Sequence, residues 1–191
     1  MNLPNKLTIA RIIAVPFYIL FHLTGHYIIA LILFILAAVT DYFDGMIARK
    51  YKLTTNFGKI MDPLADKILV YSAFCIFVAQ GIVPPWMFAI ILAREFLVAG
   101  VRTVAASEGI VIAADMSGKI KTVLQMIAVP LLLLGLATGE AVISVSSGGA
   151  NAQPPENKIM LIGNIILWAS VIMTVVSGFE YVYKNKEIFK K

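Results

Sequence analysis

The sequence predicts an all-α polytopic membrane protein with six transmembrane helices, organised as one domain over residues 1–191. Three observations carry that prediction. First, 60% of the residues are hydrophobic, only 14% are charged, and the mean hydropathy is +0.87. A soluble domain carries roughly 45–50% apolar and about 25% charged residues, so the chain departs in both directions at once. Second, six mostly apolar segments qualify by length and content as spanning helices, which need about 20 residues. Third, lysine and arginine fall almost wholly on one side of those segments. The same composition excludes intrinsic disorder. The single cysteine, Cys75, excludes a disulfide-stapled module and reads as small apolar packing. The net charge of +5 does not imply nucleic acid, and no such partner is expected.

The first segment, 7–25, begins at Leu7 and contains Arg11. It lacks the short apolar core and small-residue cleavage site of a signal peptide, so it is expected to stay attached. Gly25 separates it from the second, 27–49, and a short polar connection leads to the third, 58–80. Gly81 to Pro85 form the turn into the fourth, 84–106, and the last two run over 116–138 and 159–182. Pro16 and Pro130 fall inside spans, where neighbouring helices can satisfy the freed carbonyls. Residues 139–158 are small, polar and rich in Gly and Pro, and read as a flexible tether. Gly135 and Gly139 have GxxxG spacing, read here as a helix terminus rather than a contact.

The charge asymmetry sets the orientation. Lys6, Arg49, Lys50, Lys52, Lys59, Lys119, Lys121, Lys184, Lys186, Lys190 and Lys191 lie on one side, and only Lys158 on the other. Both termini are therefore expected in the cytoplasm, in a multi-pass protein of the cell membrane. Trp86 reads as an anchor at the outer interface, and His22 and His26 as ordinary interfacial histidines at that same end.

The carboxylates are not scattered. Of five aspartates, four fall between 41 and 66. Asp41, Asp44 and Ala48 share one helix face near the end of the second segment, and Gly58, Asp62 and Asp66 recur every four residues at the start of the third. The short connection makes the two helices antiparallel neighbours, so four acids converge at the cytoplasmic edge. Ionised carboxylates in spanning segments cost about 2.5–3.5 kcal/mol each, and crowding them adds repulsion. Divalent cations offset that cost, and oxygen-only ligands favour Mg²⁺ or Mn²⁺, with two ions expected. A lattice of ion pairs with Arg49, Lys59 and Lys67 is the structural alternative. Small residues at Gly45, Ala48 and Gly58 permit close approach, and Arg49 is suited to a phosphate. Together these features point to phosphoryl transfer on a lipid.

The run Asp41-Tyr-Phe-Asp44-Gly45-Met-Ile-Ala48-Arg49, eight residues, Gly58, three, Asp62, three, Asp66 resembles the full signature of the CDP-alcohol phosphotransferase family. Secondary stretches around Asn5, Thr8 and Arg11, Arg94 and Glu95, Gly100 and Arg102, Gly118 to Thr122, and Ser177 to Tyr181 are similar to its bacterial branch that makes phosphatidylglycerophosphate. The resemblance implies a homodimer with six membrane helices and an active site open to the cytoplasm and laterally to lipid. It implies Asp41, Asp44 and Asp62 as metal ligands, and Asp66 as both a ligand and the general base. Asn5, Thr8, Asp44, Gly45, Ala48, Arg49 and Gly58 would bind CDP-diacylglycerol. The acceptor would be glycerol 3-phosphate, whose primary hydroxyl attacks the β-phosphorus and expels CMP. Another acceptor alcohol (inositol phosphate, serine or phosphatidylglycerol) is the nearest alternative, and a cation transporter a more distant one.

A dianionic acceptor needs cations on the acid side. Arg94, Arg102, Lys119 and Lys121 are the candidates for its phosphate. Arg94 lies deeper than the others and has an alternative role as structural partner of a carboxylate or carbonyl. Glu95 and Arg102 are seven apart on one face and are expected to pair. Asp115 reads as a helix N-terminal charge.

Overall fold

The computed structural model describes residues 3–50, 56–110, 112, 115–143 and 157–186; within these, the side chains of 3–6, 41–50, 56–60, 62, 63, 66 and 140–143 lie outside the description. The described residues form six helices and no strand: α1 (Leu3–Leu23), α2 (Tyr27–Lys50), α3 (Asn56–Ala79), α4 (Pro85–Ser107), α5 (Met116–Ile143) and α6 (Lys158–Lys184). Their 21 to 28 residues correspond to roughly 32–42 Å at 1.5 Å per residue. The expected boundaries hold within a few residues. α5 runs past the expected end, so Gly139 is helical and the loop residues 144–156 lie outside the described residues.

Local chemistry explains the turns. Gly25 and Gly81 adopt φ of +82° and +72°, a left-handed conformation that only glycine reaches without strain. Pro84 and Pro85 open α4, where a missing N–H costs nothing. Asn157 caps α6: its side-chain oxygen accepts the Met160 N–H at 2.7 Å, while Nδ2 donates to the Gly135 carbonyl at 2.7 Å and to Thr138 Oγ1 at 3.0 Å.

α5 and α6 share the most extensive packing in the bundle, and α1 packs on both α2 and α3. The core lies between them, with Tyr18, Phe34, Phe74, Phe77, Leu132 and Leu167 fully buried. The outer surface is apolar too, with Phe17, Leu36, Phe96, Val123, Ile172 and Phe179 all more than half exposed. An exterior of that kind suits hydrocarbon rather than water. By length and composition, 116–139 of α5 and 158–184 of α6 are apolar enough to cross a membrane. Leu7–Leu23 of α1, Tyr27–Thr40 of α2 and Lys67–Ala79 of α3 are further apolar stretches among the described residues.

Three expectations need correction. His22 is fully buried, not interfacial: Nδ1 accepts from the Tyr18 hydroxyl at 2.9 Å, and Nε2 donates to Gln80 Oε1 at 3.2 Å. Its ring also meets Tyr27 and Phe77 edge-on. His26 remains exposed. Cys75 lies on the exposed face of α3 rather than in the core. Gly135 is a helix contact and not merely an end, because a Cβ there would sit 3.1 Å from the Met160 N and Cα.

Gly163 makes the reciprocal contact, with Leu132 Cδ2 3.1 Å from a virtual Cβ. Backbone cannot yield as a side chain can. Gly135→Val is expected to force α5 and α6 apart and to destabilise the bundle by about 1–3 kcal/mol. The measurement is the thermal midpoint of purified protein in detergent, and an unchanged midpoint would remove this contact from the account of the fold.

Candidate functional site

The acid signature continues the buried stripes of two helices. On α2, buried Ala30, Phe34 and Ala37 recur at three- and four-residue steps, and the next positions in that register are Asp41, Asp44 and Ala48. On α3, buried Ala65, Leu69 and Ala73 continue back to Asp62, with Asp66 beside Ala65 and Gly58 one turn earlier. The five-residue connection between α2 and α3 keeps both acid-bearing ends at the same end of the bundle, and the helices touch. The side chains of Asp41, Asp44, Gly45, Ala48, Arg49, Gly58, Asp62 and Asp66 lie outside the described residues, as does that of Asn5. Thr8 and Arg11 are described and buried, on an α1 stripe that continues through Val15, Tyr18 and His22. A buried arginine at the acid end was an available signal, since Arg11 interrupts an apolar run.

The four cations expected to meet the acceptor line one cleft. Its volume is about 470 Å³, and its walls include Arg94, Arg102, Lys119 and Lys121, together with Lys67, Glu95, Asp115 and Tyr181. Five cations against two acids make the cleft electropositive. Lys67 directly follows Asp66 on α3, so the cleft adjoins the acid-bearing helix.

Glu95 is the hub. Its Oε2 pairs with Lys67 of α3 at 3.0 Å, and its Oε1 accepts from Arg94 at 2.9 Å and from Lys121 of α5. Lys121 is nearly sealed from solvent, with 5% of its side chain exposed, so its ammonium depends on that carboxylate. Arg94 is committed twice, donating from Nη1 to Glu95 and from Nη2 to Ser177 Oγ at 2.5 Å. Its guanidinium passes over Gly118, where a Cβ would lie 2.9 Å from Nη2, and its Cγ runs beside Gly178.

The expected pairing of Glu95 with Arg102 is not made. Lys67 and Lys121 from neighbouring helices reach the carboxylate, and Arg102 instead lies over the Tyr181 ring at 5.9 Å from its centre. Lys67, named in the alternative ion-pair lattice, pairs with Glu95 at 3.0 Å, while the side chains of Arg49, Lys59 and the four aspartates lie outside the described residues. Asp115 immediately precedes α5, and its carboxylate pairs with Lys184 at 3.2 Å. Lys184 also reaches Glu180 at 2.6 Å, and Glu180 accepts from Ser117 at 2.6 Å. Glu95, Lys67 and Tyr181 were not among the candidate site residues. Their roles arise from contacts between helices, though Glu95 stood out as a carboxylate deep in an apolar segment.

Among the described residues, no group of three or more His, Cys, Asp or Glu could hold a metal ion. The four signature aspartates stand apart from that statement, because their side chains are not described. As a donor set they supply only hard carboxylate oxygens, which fits Mg²⁺ or Mn²⁺ and not a softer metal.

Comparison with known proteins identifies the family. The family model described as CDP-alcohol phosphatidyltransferase matches residues 1–176. The chain is 42% identical over 204 aligned residues to the CDP-diacylglycerol–glycerol-3-phosphate 3-phosphatidyltransferase of Bacillus subtilis (strain 168), covering 99% of this chain and 97% of that one. It is 40% identical over 191 residues to the protein of the same name from Rickettsia bellii, covering 98% and 97%. A probable phosphatidylglycerophosphate synthase of Mycobacterium tuberculosis (strain ATCC 25618 / H37Rv) is 34% identical over 187 residues, covering 95% and 80%. The chain belongs to the CDP-alcohol phosphatidyltransferase family.

Proposed function

We propose that the protein transfers the phosphatidyl group of CDP-diacylglycerol to glycerol 3-phosphate, giving phosphatidylglycerophosphate and CMP. The observation that carries this reading is the electropositive cleft beside the helix that bears Asp62 and Asp66. A cleft with five cations suits an acceptor that is itself a phosphate, and disfavours an uncharged alcohol or a zwitterion such as serine. The names of the relatives support glycerol 3-phosphate over other phosphorylated alcohols.

In this reading Arg102, Lys119 and Lys121 bind the acceptor phosphate, and Arg94 supports the cleft from below. Asn5, Thr8, Asp44, Gly45, Ala48, Arg49 and Gly58 bind CDP-diacylglycerol. Asp41, Asp44, Asp62 and Asp66 hold divalent cations, and four carboxylates suit a pair of them. When bound, such ions neutralise charge on the diphosphate. The primary hydroxyl oxygen of the acceptor attacks the β-phosphorus, and its proton passes to Asp66. The bond from that phosphorus to the bridging oxygen breaks, and CMP leaves with the electron pair. No histidine lies at this end of the bundle to serve instead, since His22 and His26 are at the other.

We also assign six membrane spans, cytoplasmic termini and a homodimer to the protein. The apolar exterior of the bundle and the gathering of cations at one end support the first two. The family resemblance supports the third.

Two variants test the assignment in assays of CMP release. Asp66→Asn keeps size and polarity but removes the base, and general bases contribute roughly 10²–10⁴-fold. Turnover at saturating Mg²⁺ is expected to fall by at least that lower figure. Retention of more than about a tenth of the wild-type rate is incompatible with the role. Arg102→Ala is expected to raise the KM for glycerol 3-phosphate by about 10- to 150-fold, the equivalent of roughly 1.5–3 kcal/mol from one charge-assisted hydrogen bond. The KM for CDP-diacylglycerol should scarcely move, and equal effects on both substrates would assign Arg102 a structural role.

A further inference from the structure

The cleft contains a carboxylate that the transfer reaction does not use. Glu95 cannot bind a phosphate, and it sits among the cations that would. Left unpaired, an acid at this depth of an apolar bundle would be costly, so its presence demands a compensating arrangement. That arrangement spans four helices: Lys67 on α3, Arg94 on α4, Lys121 on α5 and, through Arg94, Ser177 on α6.

We propose that Glu95 is a positioning residue, which holds the Lys121 ammonium in the cleft for the acceptor phosphate and is itself held by Arg94. The inference rests on the reading of the cleft as the acceptor site. Lys121 has little freedom, since its side chain is buried and its hydrogen-bond partner is Glu95. Lys67 is more exposed, at 40% of its side chain, and reaches Glu95 through the other carboxylate oxygen. Both oxygens are therefore occupied, which fixes the carboxylate plane.

Arg94 holds this arrangement from the far side. Nη1 and Nη2 bridge Glu95 and Ser177, so the carboxylate is anchored to α6 as well as to its own helix. The guanidinium fits there because Gly118 has no side chain. A methyl group at that position would meet Nη2 at 2.9 Å, and the arginine would have to shift away. Three separated stretches, around Arg94, Gly118 and Ser177, thus form one support beneath Lys121. Two opposite effects follow from loss of the carboxylate. It would free cations for phosphate, and it would leave Lys121 without its anchor. Burial of Lys121 makes the second effect dominate.

The test uses the purified full-length protein in mixed micelles with CDP-diacylglycerol, glycerol 3-phosphate and Mg²⁺. Glu95→Gln is expected to raise the KM for glycerol 3-phosphate about tenfold or more, with that for CDP-diacylglycerol within about twofold. Glu95→Asp should recover part of the loss. Lys121→Met should raise the same KM, and adding Glu95→Gln to it should have little further effect, because the carboxylate acts through the lysine. Gly118→Ala alters no charge and should raise the acceptor KM in the same way, which keeps the test open if Glu95→Gln fails to fold. Multiplicative effects of Glu95→Gln and Lys121→Met, or equal shifts for both substrates, would overturn the proposal. So would a wild-type KM in Glu95→Gln while Arg102→Ala and Lys121→Met raise it, and in that case the acceptor reading would stand. If neither Arg102→Ala nor Lys121→Met changes that KM, the acceptor reading fails and the role of Glu95 fails with it.

Discussion

An ionisable group inside an apolar helical bundle must find an opposite charge, and at Glu95 that requirement organises the cation-rich half of the molecule. A single carboxylate draws a lysine from α3, the arginine beside it on α4 and a lysine from α5 to one point. Each of these charges would be expensive alone in a low-dielectric surrounding. Together they satisfy one another and fix how three helices meet at one depth. The fourth, α6, is joined through the bond from Arg94 to Ser177. The cleft is the space that this arrangement leaves open, and its excess of positive charge follows from having more cations than Glu95 and Asp115 can neutralise.

The seam between α5 and α6 divides into two halves with different physics. At one end Gly135 lies against Met160, and Gly163 against Leu132, so the backbones approach closely and dispersion holds them. Asn157 adds hydrogen bonds from the start of α6 to the final turns of α5. Towards the other end the buried positions of α6 become Ser170, Thr174, Ser177 and Tyr181, and those of α5 become Gln125 and Lys121. Gly118 and Ser177 meet there around the Arg94 guanidinium. The apolar half is a rigid clamp. Its close backbone approach continues into the polar half along the same pair of helices.

Much of this was legible in the sequence. Helix positions followed from the lengths of the apolar runs and from glycine and proline between them, because hydrocarbon thickness and turn geometry impose strict local demands. The acid signature was legible for the same reason, since three- and four-residue spacing is a property of one helix. Partner choice across helices was not. Glu95 and Arg102 share a face, yet two of the three cations that reach Glu95 come from 28 residues before it (Lys67) and 26 after it (Lys121). His22 reads as interfacial from its distance along α1, yet it is buried, with a hydrogen bond to Gln80, 58 positions away, that no local spacing shows. The GxxxG pair reads as a helix end until α6 is laid against it. In each case the missing information was the rotation and register of one helix against another, which no local spacing encodes.

In the proposed mechanism α3 is the element that joins the two halves of the chemistry. Successive residues on a helix are displaced by about 100°, so Asp66 and Lys67 belong to different faces while sharing a backbone. One face continues the buried stripe of Ala65 and Leu69 towards the acid cluster, and the next delivers Lys67 to Glu95. A group transfer between two anionic substrates needs carboxylates, with their cations, near the diphosphate and basic side chains near the acceptor. Those two sets must lie close enough to act together without neutralising each other directly. Consecutive positions on one helix meet that condition. On the second of them, Lys67 has a partner in Glu95 on the neighbouring helix.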